Sequence, residues 1–360
     1  MFLPVKRADC SDELDRLTEM VSTILAEATR FLAPEEANIP ALESAVPPEL
    51  RDLFQYKKVR EAVQALYRLP YMDRLRVSEA FQNDIAFHRH IEDGGYQLSR
   101  LSDLPEAGGR ALKTLCIELY NLVSAGVPVK GPARGRAFSS QLLRKQFKKV
   151  NGSFGRVCPV CIGEVLFDIQ EGKGDHYFPK AKYPALTFHP DNLLPVCSSC
   201  NDPSIKGAKD PVDVRDTGSG ELRTVFLPYL RAAKDEIELD VDEDCGIVMR
   251  PGPGGDEWTA RRIENTDRLY LLSRRWSGVL EDVWEDVSEY ARKQCEGCSS
   301  RRERIAVLRG ILAGIASSTR NRTDFIKGVY CAWLLKKSDR ELEEMLLYTP
   351  LDLPEVSSDT

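Results

Sequence analysis

The 360-residue chain has no apolar run long enough to cross a bilayer, which takes about 20 consecutive apolar residues in a helix. Its opening, MFLPVKRADCSDEL, lacks the apolar core of a secretory signal. No GxxxxGK followed by Ser or Thr occurs, so any ATP-driven control has to come from another subunit. There is no internal repeat and no low-complexity tract. Histidine is scarce, with only His88, His90, His176 and His189. These absences argue against a membrane protein, a secreted protein and an ATPase, and leave a cytoplasmic protein as the expectation. Ten cysteines without a secretory signal fit a reducing compartment and metal thiolates better than a disulfide framework. A composition of 42% hydrophobic and 29% charged residues is that of a globular chain, long enough for two or three domains.

Four of the cysteines form two CxxC pairs, Cys158 with Cys161 and Cys197 with Cys200, in the stretch CPVCIGEVLFDIQEGKGDHYFPKAKYPALTFHPDNLLPVCSSCNDPSIK. Two such knuckles make a four-thiolate tetrahedral site easy to build, and zinc is the ion that prefers it. Between and beside the pairs lie Asp175, His176, Asn192 and Asn201. A purely structural ribbon has no use for those residues in that order.

The DH pair at Asp175 and His176, Asn192 followed by Leu193, the run Cys197 to Asn201 and Lys206 together resemble the HNH endonuclease superfamily, in the subgroup whose ββα-metal fold is pinned by two CxxC pairs. The resemblance covers about fifty residues. It implies that Asp175 and Asn201 hold one catalytic divalent ion, Mg²⁺ or Mn²⁺, and that His176 is the general base. It also implies that Asn192 hydrogen-bonds the backbone or His176 and sets the loop geometry, and that the zinc is structural only. The residue types suit hydrolysis of a phosphodiester: a neutral imidazole can take a proton from water, and a carboxylate is a hard ligand for such an ion.

Local patterning places these residues. Glu164 to Gln170 reads as a short strand, broken by Gly172 and Gly174, and NLLPVC as the return strand. Pro184 and Pro190 make the connection a loop. Adjacent strand residues face opposite ways, so Asp175 and His176 serve one phosphate only if the backbone bends, which Gly174 would permit. His189 reads either as a ligand in this loop or as a residue packing beside Pro190.

The formal charge of −6 is unevenly spread. Gly126 to Asp210 carries 13 Lys or Arg against 7 Asp or Glu, a balance of +6 that leaves −12 for the remainder. Lys130, Arg134, Arg136, Arg144, Lys145, Lys148, Lys149 and Arg156 follow one another without an acidic residue between them. A basic arm entering such a module suits contact with the DNA backbone. Arg144, Lys145, Lys148, Lys149, Arg156, Lys180 and Lys206 are the candidates, with Lys182 beside them.

The flanks read as helical. Amphipathic spacing predicts helices over 11–32, 47–68, 71–90 and 110–125, then a hinge at GPARGRAF and a short basic helix in SSQLLRKQFKKV with a Ser N-cap. His88 and His90, two apart in the third helix, face different sides and read as structural or surface residues. RTVFLPYL and DEIELDVDEDCGIVMRPGPGG read as strands, followed by helices to about 348 and a tail. A third pair, Cys295 and Cys298, has no obvious second pair, and Cys245 and Cys331 stand singly. The fold class expected is α+β, a small ββα-metal module between mostly helical terminal regions. The segments are a helical domain over 1–125, a basic linker over 126–157, the module over 158–210, a hairpin extension over 211–262, a helical region over 263–350 and a tail over 351–360. FLPYL and RRIENTDRLYLLSRRW are loosely similar to the flanks of HNH proteins in Septu-type anti-phage systems, which work beside an ATPase. The expectation is therefore a DNA-cleaving subunit of a prokaryotic defence complex, with DNA and a protein partner. Two alternatives stand beside it, a zinc-stabilised DNA-binding or scaffold subunit without cleavage, and a stand-alone restriction, homing or recombination nuclease.

Overall fold

In the computed structural model the described residues are 3–32, 44–46, 48–127, 138–152, 154–163, 173–212, 221–227, 229–233, 236–317 and 322–348. They are mixed α and β, with two small antiparallel hairpins among many helices. The chain divides into two compact units, one of residues 2–160 and 165–232, the other of residues 233–360 with 161–164. No helix among the described residues is long and apolar enough to cross a membrane.

In the first unit, α1 (Asp12–Ala28) buries Leu14, Leu17, Met20, Val21, Ile24 and Leu25 along one stripe. The buried Arg74 guanidinium closes its C-terminal end, donating to the carbonyls of Ala28, Phe31 and Leu32. A cation is favourable there because the last helical carbonyls are unpaired and the dipole is negative. The predicted second helix begins as a 3-10 turn (Pro48–Gln55) and continues as α2 (Lys57–Tyr67). The third, α3 (Tyr71–Ile85), stops short of His88, which sits in a separate 3-10 turn, Phe87–Arg89.

The fourth helix, α4 (Glu106–Ser124), starts earlier than the apolar spacing indicates. Its first turn holds Gly108 and Gly109, poor helix formers that look like loop. Packing explains them. A Cβ on Gly108 would lie 2.7 Å from Val77 Cγ2, so the glycine lets α4 approach α3. The basic helix α5 (Ser140–Asn151) starts where predicted, with Ser139 Oγ accepting from Leu142 N. It packs on the hairpin of β1 (Lys173–His176) and β2 (Leu193–Val196), with Leu143 beside Gly174, while Gln146 Oε1 accepts from Cys10 N at 2.6 Å. The predicted strand over 164–170, most of the GPARGRAF hinge and the predicted tail lie outside the described residues. RTVFLPYL is not a strand in its described part. Leu222–Thr224 is a 3-10 turn, and only the bridge from Leu227 to Arg231 follows.

In the second unit, β3 (Ile237–Val241) and β4 (Ile247–Pro251) form the expected hairpin, closed by a turn in which Cys245 takes φ +59°. α6 (Thr259–Tyr270), α7 (Leu272–Ser277), α8 (Leu280–Cys295), α9 (Arg301–Ala316), α10 (Arg322–Leu334) and α11 (Asp339–Glu343) follow, with a π-turn over Glu344–Tyr348. Leu271, left-handed at φ +50°, separates α6 from α7. None of the ten cysteines is in a disulfide. Around Cys295 and Cys298 no metal-ligand group of three or more forms among the described residues.

The turn Phe154–Arg156 rests against α5, and Gly155 permits it: a Cβ there would lie 2.6 Å from Lys148 Cα and 2.7 Å from its carbonyl. Gly155→Ala is therefore expected to cost about 1–3 kcal/mol through forced backbone shifts, read as a lower midpoint in urea. An unchanged midpoint would mean that the turn does not bear on α5.

Candidate active site and metal centre

The site grows from the short hairpin. β1 pairs with β2 in the register Lys173 with Val196, Gly174 with Pro195, Asp175 with Leu194 and His176 with Leu193. Tyr177 N extends the ladder by donating to Asn192 O at 2.9 Å. The strand thus runs through the DH pair instead of ending before it, and no glycine-permitted bend occurs at Gly174. Asp175 and His176 leave a regular strand in opposite directions.

On one side, the buried Asp175 carboxylate accepts from Lys206 Nζ at 2.9 Å, and the same ammonium donates to His176 O at 2.7 Å. Lys206 is 1% exposed. It was expected to meet phosphate at the surface, and it is instead the cation that neutralises Asp175.

On the other side, His176 Nε2 lies 2.7 Å from the Thr187 carbonyl. A carbonyl only accepts, so Nε2 carries the proton and Nδ1 keeps the lone pair. The Tyr120 ring of α4 meets the imidazole edge-on, with centroids 4.8 Å apart. Lys180 Nζ stands over the same Tyr120 ring, 5.4 Å from its centroid. Burial pulls the His176 pKa down to about 3, and Lys180 and Lys206 push the same way against the Thr187 bond. The ring is therefore neutral at every physiological pH.

Asn192 binds the backbone, not His176. It is 0% exposed. Its Oδ1 accepts from Phe178 N at 2.6 Å, and its Nδ2 donates to Phe178 O at 3.0 Å and Leu186 O at 2.8 Å. These bonds gather the connection between the strands and bring Thr187 to His176. Asn201 is half-buried, its N–H bonded to the carbonyls of Cys197 and Ser198 in the turn after the last cysteine. A second tie closes the end of this region: Tyr183 Oη donates to Asp210 at 2.9 Å, and Arg100 Nε donates to the same carboxylate at 3.0 Å.

Cys158, Cys161, Cys197 and Cys200 bring their sulfurs within 4.8 Å of one another. Three of them are buried, and Cys200 N donates to Cys197 Sγ at 3.3 Å. Ile162, directly after the first pair, takes φ +60°, a costly conformation for a β-branched residue. Trp276 Nε1 donates to the Cys161 carbonyl at 3.3 Å. Four soft donors at this separation fit a tetrahedral zinc ion. For the second ion that the motif implies, the donors available are the Asp175 carboxylate and the Asn201 amide. Both are hard oxygens suited to Mg²⁺ or Mn²⁺, with Lys206 already bonded to Asp175.

Of the basic candidates, Lys145, Lys149 and Arg156 are exposed, and Arg144, Lys148 and Lys180 are half-buried. Lys130, Arg134 and Arg136 lie outside the described residues. Tyr120 and Thr187 carried no sequence signal: one belongs to a distant helix, the other acts through its backbone.

Two outcomes follow. Cys200→Ser should lose tightly bound zinc, measured by elemental mass spectrometry, and destabilise the hairpin, because ion affinity at such a site is folding free energy. A fully stable wild-type chain without zinc would refute the assignment. The second concerns acid. The unfolded chain protonates His176 near its ordinary value of about 6.5, while the folded chain refuses that proton down to about 3. Stability is then full above pH 6.5 and falls as the pH drops through that window. Replacing His176 by Gln should shrink the loss between pH 7 and 5 in urea titrations; equal losses would show that the ring is charged in the fold.

No protein-family model matches the chain, and neither a curated protein nor a solved structure matches it.

Proposed function

We propose that the chain is a metal-dependent HNH-type endonuclease that hydrolyses DNA phosphodiester bonds, with residues 158–210 as its catalytic module. One observation carries the reading: the Thr187 carbonyl fixes the proton of His176 on Nε2, which leaves Nδ1 as a basic nitrogen. Nδ1 takes a proton from a water molecule as the water oxygen bonds to phosphorus, and the bond from phosphorus to the leaving sugar oxygen breaks. A base with a pKa near 3 is weak. The negative charge of a phosphodiester beside it would raise that value and oppose the effect of Lys180. The resemblance implies that Asp175 and Asn201 hold Mg²⁺ or Mn²⁺, which would neutralise charge on the phosphate. Because β1 sends Asp175 and His176 to opposite faces, both serve one phosphate only if the strand bends when the ion and DNA enter. Asn192 acts only by holding the loop.

DNA would lie across Lys145, Lys149 and Arg156, with Lys148, Arg144 and Lys180 at its edge. The motif resemblance extends the proposal to a prokaryotic anti-phage complex in which an ATPase controls the nuclease. A second unit of helices and one hairpin, beyond what the catalytic step requires, supports a partner.

The buried Lys206 favours a second reading, a DNA-binding or scaffold subunit that does not cut. An ammonium on Asp175 repels a divalent ion seeking the same carboxylate. Nicking of supercoiled plasmid with Mg²⁺ or Mn²⁺ separates the two. His176→Ala should lower cleavage by roughly a hundredfold to ten-thousandfold and keep its zinc. Exchanging Lys145, Lys149 and Arg156 for Gln should reduce the salt slope of DNA binding by up to about 3. Wild-type rates in the His176 variant would remove the proposed base. Binding without any cleavage by the wild type would establish the scaffold reading.

A further inference from the structure

Away from His176 and the four cysteines, His88, His189 and Asp191 converge. One ligand atom from each lies within 4.8 Å of the other two. His88 comes from the turn after α3, and the other two from the start of the 3-10 turn Pro190–Asn192 that leads into β2. All three belong to the first unit.

The protonation of His189 is fixed. Its Nε2 faces the Ile85 carbonyl at 3.1 Å and so carries the hydrogen, while Nδ1 holds the lone pair and accepts from Asp191 N at 3.2 Å, a long bond that an ion on Nδ1 would replace. A ring N–H donated to a backbone carbonyl is the usual outer bond of a metal-binding histidine. His189 is 5% exposed and Asp191 4% exposed. Nδ1 of His88 is buried and has no hydrogen-bond partner among the described residues. An unpaired buried polar atom is costly, and native structures seldom leave one without a reason. The imidazoles of His88 and His189 stand 5.8 Å apart, tilted by 36°.

Arg7 already binds Asp191 through Nε and Nη2. That pairing neutralises the carboxylate but gives His88 Nδ1 nothing. Each carboxylate oxygen can accept more than one bond, and ligating carboxylates are ordinarily hydrogen-bonded in turn. The charge of Arg7 opposes an ion here as that of Lys206 does at Asp175, and the two neutral imidazoles have to outweigh it. We propose that His88, His189 and Asp191 form a further metal site for a divalent transition ion, zinc by preference. Two imidazoles and one carboxylate are borderline donors that select such an ion over Mg²⁺ or Ca²⁺. A water molecule or an added ligand takes the fourth position. The ion would tie the turn after α3 to the loop that supplies Thr187 to His176. The proposal stands whether or not the chain cleaves DNA.

Cobalt titration of the full metal-stripped chain distinguishes this site from the four cysteines. Thiolate-to-cobalt absorption in the near ultraviolet reports the cysteine site alone. In the wild type it should saturate at one equivalent while equilibrium dialysis finds at least two ions bound. His88→Ala, a change at a half-buried turn residue, should bind one ion fewer with the thiolate absorption unchanged. Zinc added to the chain already holding one zinc should raise the melting temperature of the wild type and not of the variant. One ion in the wild type, or equal ion counts and equal zinc-induced shifts in the two proteins, would overturn the assignment.

Discussion

The arrangement of the candidate site depends on the side-chain amide of Asn192. The connection from Tyr177 to Asp191 is buried for most of its length, and a buried loop must find partners for its own N–H and C=O groups. Asn192 supplies three of them, reaching forward to Phe178 and to Leu186 from the foot of β2. Loss of such partners leaves buried backbone groups unpaired at about 1–3 kcal/mol each. The Thr187 carbonyl, and with it the proton position on His176, follows from that closure. So does the placement of His189 and Asp191, which precede Asn192 directly. One amide therefore governs both faces on which chemistry is proposed.

The hairpin itself is weak. Strands of four residues in a two-stranded ribbon are marginal in water. α5 covers it, with Leu143 beside Gly174, and the second CxxC pair begins where β2 ends. A zinc ion on four thiolates is worth on the order of 10 kcal/mol in small folds, far more than eight strand residues provide. It is the natural anchor for a site that has to hold an imidazole still.

Charge inside the first unit is used for position. Arg74 ends α1, Arg100 ties Asp210, Arg7 meets Asp191 and Lys206 meets Asp175. Lys206 with Asp175 is the buried pair among these; such a pair adds little net stability, yet removing one partner costs about 3–5 kcal/mol because it strands the other. The Lys206–Asp175 pair is thus a structural tie as well as a competitor for an incoming cation. Its balance with a divalent ion decides between the cutting and non-cutting readings.

The order of chemical groups was legible in the sequence: two CxxC pairs, the DH pair, Asn192 and the Asn after the last cysteine, with a basic helix capped by Ser139 ahead of them. The β3–β4 hairpin, the helical flanks and the α+β class were legible too, because apolar period and turn residues are local signals. Tertiary contact decided the rest. Gly108 sits in a helix because α3 needs the room, and β1 runs through Asp175 and His176 because β2 pairs with it there. Lys206 turns inward because a buried carboxylate requires a cation, although the sequence reads it as a contact to the DNA backbone. Thr187 acts through a carbonyl that any residue would supply. His88 meets His189 and Asp191 across about a hundred positions of sequence, a distance over which periodicity carries no information.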